Sequence, residues 1–333
     1  MSRYCVTGAA GFVGRNLVKR LTENGHEVTA MVRKASDAAR VGVTSARIVV
    51  ADLLDPSSLR LALVDSDVVC HCAVSLPGPH NRGDVWETNV NGTRNLVSAC
   101  GDAQVRRLIF ISTESVYRPR LDYAASETSP LTSERQHVHE GGYPSSKVEA
   151  ESIAFEGGRK HGFEVVVVRP SLIYGPEPSV GFNQILLWSR RRVHWLIGGG
   201  TCPISICHIA DVVAAIAKAG EQSRAAGQVY NVSDGEQRTK REILELIAKA
   251  SGTRPLCVPI PARPAYLLTK LVHFLLKPVA SGLAAKFDVR KIDFSISNHA
   301  MDIRKIRTEL GYSPTISLTS GLLEIFPTGP DAR

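Results

Sequence analysis

Apolar and polar positions alternate along the start of the chain in blocks that predict a strand, a helix and a second strand. Tyr4-Cys5-Val6 is a short apolar run; Val13, Leu17, Val18 and Leu21 then recur at helical spacing, Gly25 stops the pattern, and Glu27 to Val32 begins the next strand. Further on, Leu108-Ile109-Phe110-Ile111 is apolar at every position, the pattern of a strand buried on both faces of a parallel sheet. Gly227 to Val232 predicts a later strand, followed by a helix from Lys240 to Ser251. Strands alternating with helices predict an α/β fold built on a doubly wound parallel sheet, and 333 residues with 44% hydrophobic content can bury its core. The sequence carries no internal repeat and no low-complexity segment.

The turn between the first strand and helix is Thr7-Gly8-Ala9-Ala10-Gly11-Phe12-Val13-Gly14. Gly8 permits a tight turn, Gly11 lets backbone approach a pyrophosphate, and Gly14 allows close helix-on-strand packing, while the helix N-terminus supplies unpaired N–H donors. The order of strand, glycine turn, helix and second strand points to a dinucleotide rather than to an ordinary tight turn.

A second motif, Tyr143-Pro144-Ser145-Ser146-Lys147, opens a helix-favouring stretch, so Tyr143 and Lys147, four apart, share one helical face. A free tyrosine titrates near pH 10, and an ammonium beside the phenol favours the phenolate, which suits it to proton transfer. Alone, such a pair is an ordinary surface pair. Thr113 changes the reading, because it ends the apolar Leu108–Ile111 run at the edge where open α/β sheets hold ligands.

Together these residues resemble the extended branch of the short-chain dehydrogenase/reductase superfamily, which includes sugar-nucleotide epimerases and 3β-hydroxysteroid dehydrogenases. Further matches are Ala51-Asp52-Leu53, Asn89 to Thr93, Arg169 to Pro176, His208 to Val212 and Glu309 to Pro314, in that order over nearly the whole chain. The resemblance implies that Tyr143 is the acid/base, that Lys147 orients the nicotinamide ribose and lowers the tyrosine pKa, and that Thr113 hydrogen-bonds the reacting oxygen. It places Asp52 at the adenine, and Gly8, Ala10, Gly11, Phe12, Val13, Gly14, Leu53, Ala73, Asn89, Pro170 and Ile173 along the cofactor with Tyr143 and Lys147. It also implies a nucleotide-binding domain over residues 1–175 with a returning strand near 227–234, a smaller mixed α/β substrate domain over 176–333, and a homodimer.

The second strand closes on Met31-Val32-Arg33-Lys34, with no carboxylate to bond a ribose 2′-hydroxyl. Arg33 and Lys34 instead offer charge where a 2′-phosphate would lie, so NADP is preferred and NAD remains open.

Composition narrows the rest. The seven cysteines lack paired metal-ligand spacing and fall largely in apolar runs; with no room for a leader before the first strand and no bilayer-spanning segment, they read as reduced and cytoplasmic. None of the ten histidines has metal-ligand spacing, so no metal is expected. The net charge of +8 is scattered, apart from the Trp188–Trp195 segment with Arg190, Arg191 and Arg192, which reads as a solvated helix face rather than a nucleic-acid site.

Substrate is argued from departures. Sugar-nucleotide members generally carry an asparagine where this chain has Leu172 and an arginine where it has Ser205, so the grips on a nucleoside diphosphate are missing, with Arg290 or Lys291 as substitutes. Sugar 4,6-dehydratases place two acids after the threonine, whereas only Glu114 stands here. Residues 264–278 have a wide apolar face with a narrow polar stripe, which suits a helix buried between domains, a wall over an apolar substrate, or a weak contact with a membrane surface. The expected activity is hydride transfer between nicotinamide and a secondary alcohol or ketone on an apolar, alicyclic or steroid-like skeleton. A sugar-nucleotide epimerase or ketoreductase is the alternative enzyme, and a non-catalytic NADP-binding scaffold or sensor the alternative of another class.

Overall fold

The structure is a computed structural model that describes residues 1–43, 45–76, 84–118, 122–132, 142–177, 185–186, 189–190, 193–276 and 289–327. Its frame is a seven-stranded sheet, parallel throughout. The strands are β1 (Arg3–Thr7), β2 (Glu27–Val32), β3 (Arg47–Val50), β4 (Val68–His71), β5 (Arg107–Ile111), β6 (Glu164–Pro170) and a last one, Val229–Val232. Their spatial order is β3-β2-β1-β4-β5-β6 and then Val229–Val232, so chain direction across the sheet reverses between β1 and β4. That reversal opens a crevice at the carboxyl ends of the strands, the place where such sheets hold ligands.

The apolar runs become strands because both faces of the sheet are covered. Tyr4, Val6, Val68, Cys70, Ile109, Ile111, Val166 and Val168 point to one side, where they meet Leu17, Val18 and Leu21 of α1 (Phe12–Glu23) and Val212, Val213 and Ile216 of the Ile209–Glu221 helix. Their neighbours Cys5, Val69, Leu108, Phe110, Val165 and Val167 point to the other side, against α2 (Pro56–Ala62), the Gly92–Asp102 helix and the Tyr143–His161 helix. Each fully buried valine or leucine adds about 1.5–3 kcal/mol of transfer free energy, which is why the middle positions of these strands are apolar. The Tyr143–His161 helix is held close to the Gly92–Asp102 helix, since a Cβ on Gly157 would lie 1.9 Å from Val97 Cγ1.

The division at residue 175 is crossed more than once. The Ile209–Glu221 helix, the Val229–Val232 strand and the Arg304–Leu310 helix all pack with the first sheet, because their apolar faces fit its core. The remaining C-terminal elements have a core of their own around Leu172, Tyr174, Leu196, Ile204, Ile243, Leu244 and Leu318. Within it the Lys240–Ala250 helix begins at a capping box in which Thr239 and Glu242 bond each other's backbone N–H.

Two local expectations need correction. The basic segment does not form a helix: Ser189–Arg190 and Val193–Ile197 pair as antiparallel strands, because alternating β-branched and aromatic Val193, Trp195 and Ile197 favour a pleated backbone. Trp188, Arg191, Arg192 and the Arg190 side chain lie outside the described residues. Residues 264–276 are helical, within Ala262–Leu276, but the helix is not buried between domains, for its large apolar side chains face outward. Lys277 and Pro278 lie outside the described residues. No described helix is long and apolar enough to cross a membrane.

A buried cation ties the two layers together. Arg107 Nη1 donates to the carbonyls of Ala219, Gly220 and Gln222 at 2.8–2.9 Å, satisfying the C-terminus of the Ile209–Glu221 helix, while its Nε donates to Glu164 at 2.7 Å. Replacing it would leave those carbonyls buried without donors. Arg107→Met is therefore expected to lower unfolding free energy by about 2–4 kcal/mol in urea titrations; a loss below about 1 kcal/mol would show that water takes over the helix end.

Candidate active site

The site is assembled from the crevice upward. Gly8 leaves β1 with φ of +63°, a left-handed conformation that disfavours any side chain, and a Cβ there would lie 2.6 Å from Ala73 Cα, just past the end of β4. Ala9 N donates to Met31 O at 3.1 Å and Gly11 N to Gly8 O at 2.8 Å, which fold the turn over the ends of β1 and β2. A Cβ on Gly14 would fall 2.2 Å from Gly8 O, so Gly14 packs on the turn itself rather than on a strand. Gly11 caps α1 with no side chain bonded to the first turn and no acid in it. The first-turn N–H groups of α1, with Phe12 and Val13 leading, are thus left for an anionic ligand. The space kept by Gly8, Gly11 and Gly14 beside those donors fits a dinucleotide pyrophosphate.

The other expected cofactor residues sit around this turn. Arg33 and Lys34 are exposed immediately after β2, two and three residues beyond Met31, which pairs with Thr7. Asp52 is partly exposed and its Oδ1 accepts from Leu54 N at 2.9 Å, while Leu53 is buried against Gly92. Ala73 touches Gly8, and Ala10 packs at the edge of the first core. Pro170 ends β6, and Ile173 lies in β7 (Leu172–Tyr174). Phe12 approaches this segment, since a Cβ on Gly175 would be 3.2 Å from its ring. Asn89 is buried, and its amide is engaged: Oδ1 accepts from Ser75 N at 2.8 Å, and Nδ2 donates to Ser75 O and Ser146 Oγ at 3.0 Å each.

Thr113 follows β5, and Tyr143 opens the Tyr143–His161 helix with Pro144 beside it, directly after Gly142 in the left-handed conformation at φ of +36°. The Thr113 side chain lies near enough to the Tyr143 hydroxyl to lower the phenol's pKa. One helical turn on, buried Lys147 donates from Nζ to Ile111 O at 2.7 Å and lies 3.9 Å from the Phe110 ring centroid. Thr113, Tyr143 and Lys147 therefore meet at the end of β5.

Their electrostatics differ from the simple pairing of phenol and ammonium. Burial pushes the Tyr143 phenol well above its ordinary range, the Glu114 carboxylate adds to that, and only the nearby Thr113 hydroxyl pulls the other way. The ammonium of Lys147 is spent on the Ile111 carbonyl, and burial itself brings Lys147 down to about 7. The surroundings thus hold the tyrosine as an acid. Glu114 is buried too, accepts from Thr113 Oγ1 at 2.8 Å, and has its pKa raised by burial.

A polar chain not foreseen from sequence links the glycine turn to this centre. Thr7 Oγ1 bonds Ala73 N at 3.1 Å and His71 Nδ1 at 2.8 Å; His71 Nε2 bonds Thr93 Oγ1 at 3.1 Å; Thr93 Oγ1 donates to Asn89 O at 2.6 Å. Asn89 then reaches Ser146, whose Oγ donates to Tyr143 O at 2.8 Å. The signal available in the sequence was a histidine at the end of the apolar Val68–Cys72 run, with threonines at the ends of neighbouring elements.

The sequence pattern described as the NAD dependent epimerase/dehydratase family matches residues 4–233. A "4-hydroxy-2-methyl-3-oxo-4-farnesyl-3,4-dihydroquinoline-1-oxide ketoreductase" of Stigmatella aurantiaca is 30% identical over 98% of this chain and 97% of its own. A "3-beta-hydroxysteroid dehydrogenase" of Mycolicibacterium neoaurum is 27% identical over 98% of this chain and 91% of its own. Among solved structures, that of MoeE5 in complex with UDP-glucuronic acid and NAD superposes with a TM-score of 0.73 at 25% identity, covering 98% of both chains.

His71 yields a pH test. Burial lowers it to about 3, with the positive charge of Lys147 adding to the effect, whereas an unfolded histidine titrates near 6.5. As pH falls through 6.5 towards 3, the unfolded chain takes up a proton that the folded chain refuses, so stability falls. In His71→Asn the slope of unfolding free energy against pH in that window is expected to be shallower by about one proton, read from urea midpoints at a series of pH values. An unchanged slope would mean that His71 does not stay neutral in the fold.

Proposed function

This chain belongs to the NAD dependent epimerase/dehydratase family, a family of NAD(P)-dependent enzymes, and we propose that within it the chain reduces a ketone to a secondary alcohol on an apolar, alicyclic or steroid-like skeleton, with NADP preferred. The observation that carries the substrate class is the fate of the two positions expected to grip a nucleoside diphosphate. Leu172 is buried in the second core. Ser205 is also buried, with Oγ accepting from Met301 N at 3.0 Å and its backbone N bonded to His299 O. Both positions serve packing and backbone pairing, so neither offers charge to a diphosphate. The names of two relatives, a ketoreductase of a farnesylated cyclic compound and a hydroxysteroid dehydrogenase, support the same class.

The residues perform the proton chemistry. A bound nicotinamide supplies or accepts the hydride. Thr113 Oγ1, turning its proton from Glu114 to the substrate, holds the substrate oxygen beside the Tyr143 hydroxyl, and Tyr143 Oη gives its proton to that oxygen as the alcohol forms. A phenol pushed upward by burial and by Glu114 is fully protonated at neutral pH, which suits the reductive direction. Lys147, four residues along the helix, would bond the nicotinamide ribose, and the first turn of α1 would hold the pyrophosphate.

Two measurements test the reading. With cyclic apolar ketones and 3-ketosteroids as substrates and nicotinamide absorbance as the readout, Tyr143→Phe is expected to lower kcat by about 10²–10⁴-fold while cofactor binding, followed by fluorescence, stays intact. Ordinary turnover by that variant would sink the assignment, and isomerised sugar nucleotide with no net cofactor change in the wild type would move it to an epimerase.

For the cofactor, Arg33→Ala is expected to weaken NADPH binding by about ten- to hundredfold and leave NADH binding unaltered, since a guanidinium on the 2′-phosphate contributes about 1.5–3 kcal/mol. Equal effects on the two cofactors would remove the basis for an NADP preference.

A further inference from the structure

The Ala262–Leu276 helix turns its apolar side chains the wrong way for a core element. Leu267, Leu268, Leu271, Phe274 and Leu275 are 68, 62, 55, 76 and 57% exposed, whereas Thr269, on the opposite side, is the buried residue of the helix. Their spacing of three, four and seven places them on one face, and the Val289–Ile296 helix packs against this element. Arg263 and Lys270, seven apart and both exposed, run along one border of that face, with Lys270 Nζ 5.0 Å from the Tyr266 ring centroid. Contiguous exposed apolar faces of this kind mark contact sites.

Charge identifies the partner. Between Glu245 and Asp288 the sequence carries six cations, Lys249, Arg254, Arg263, Lys270, Lys277 and Lys286, and no carboxylate, within a chain whose net charge is +8. The helix therefore presents an apolar strip with a cationic border and no acid of its own. A second copy of the chain meeting it about a twofold axis would bring Arg263 and Lys270 of both copies together without a carboxylate from either helix to offset them. An anionic lipid surface satisfies both halves of the pattern, with apolar side chains entering the acyl boundary and cations at the headgroup phosphates.

We propose that this helix lies flat on an anionic membrane surface, with Leu267, Leu268, Leu271, Phe274 and Leu275 inserted and Arg263 and Lys270 at the lipid phosphates. Such a contact holds the protein at the surface without spanning it. It stands independently of the substrate reading.

The test is co-sedimentation of the full chain with vesicles of phosphatidylcholine alone and of equimolar phosphatidylcholine and phosphatidylglycerol. The chain is expected to pellet with the mixed vesicles, weakly or not at all with phosphatidylcholine, and less as salt rises. Leu271→Ser/Phe274→Ser, at exposed positions, is expected to weaken binding by about tenfold or more. Arg263→Glu/Lys270→Glu, which leaves the apolar strip in place, should abolish the preference for phosphatidylglycerol, and circular dichroism verifies that both variants fold. Failure of the wild type to pellet with mixed vesicles, or wild-type binding by both variants, overturns the proposal. So does a wild-type dimer in sedimentation velocity that Leu271→Ser/Phe274→Ser splits to monomers, since that gives the face to a second copy.

Discussion

The approach of the glycine turn to the exit of β4 is the constraint on which the site depends. A side chain at Gly8 would sit 2.6 Å from the Ala73 backbone and one at Gly14 would sit 2.2 Å from Gly8 O, so neither element could come so near with any other residue in place. The same closeness lets Thr7 Oγ1 reach both Ala73 N and His71, and it aims the first turn of α1 across the crevice where the sheet reverses order. Once β1, β4 and α1 are fixed in this way, the Thr7–His71–Thr93–Asn89–Ser146 chain carries the placement to the start of the Tyr143–His161 helix. Each link is a buried polar group whose loss would leave its neighbour unpaired, which makes the arrangement specific rather than merely stable.

Burial of charge is the second determinant. Arg169 and Glu151 form a buried pair that joins β6 to the Tyr143–His161 helix, with Tyr117 bonded to Arg169 and to Asn231 of the last strand. Glu151 lies one turn beyond Lys147 and opposes the desolvation of its ammonium, so the pair that anchors the helix also moderates the lysine. The burial of Lys147 would favour losing its proton, and the Ile111 carbonyl and the Phe110 ring are the partners that remain for the charged form.

What could be read from sequence divides along a physical line. The glycine turn, Thr113, Tyr143 and Lys147 were legible because their chemistry demands particular residue types at particular chain spacings. His71, Ser146 and Arg107 were not, because their roles come from contacts between elements distant in sequence: Arg107 meets carbonyls more than a hundred residues away. The outward turn of Leu267 to Leu275 was not decidable either, since periodicity places apolar residues on one face without saying what that face meets. The pairing of Ser189–Arg190 with Val193–Ile197 was hidden in the sequence because the neighbouring run of arginines suggested a solvated helix face.

Glu114 brings these strands together. It directly follows Thr113, it is buried, and its charge works against loss of the Tyr143 proton. As pH falls and Glu114 takes up its own proton, that influence disappears; as pH rises and it ionises, the phenol becomes harder to deprotonate. The acid form of Tyr143 is therefore most strongly protected on the alkaline side, where an isolated phenol would begin to lose its proton. A site meant chiefly to oxidise alcohols would gain from the opposite sign beside its tyrosine, since the base form is the one it needs. A buried carboxyl there, with the lysine turned to a backbone carbonyl, keeps the phenol protonated, the form that the proposed ketone reduction uses.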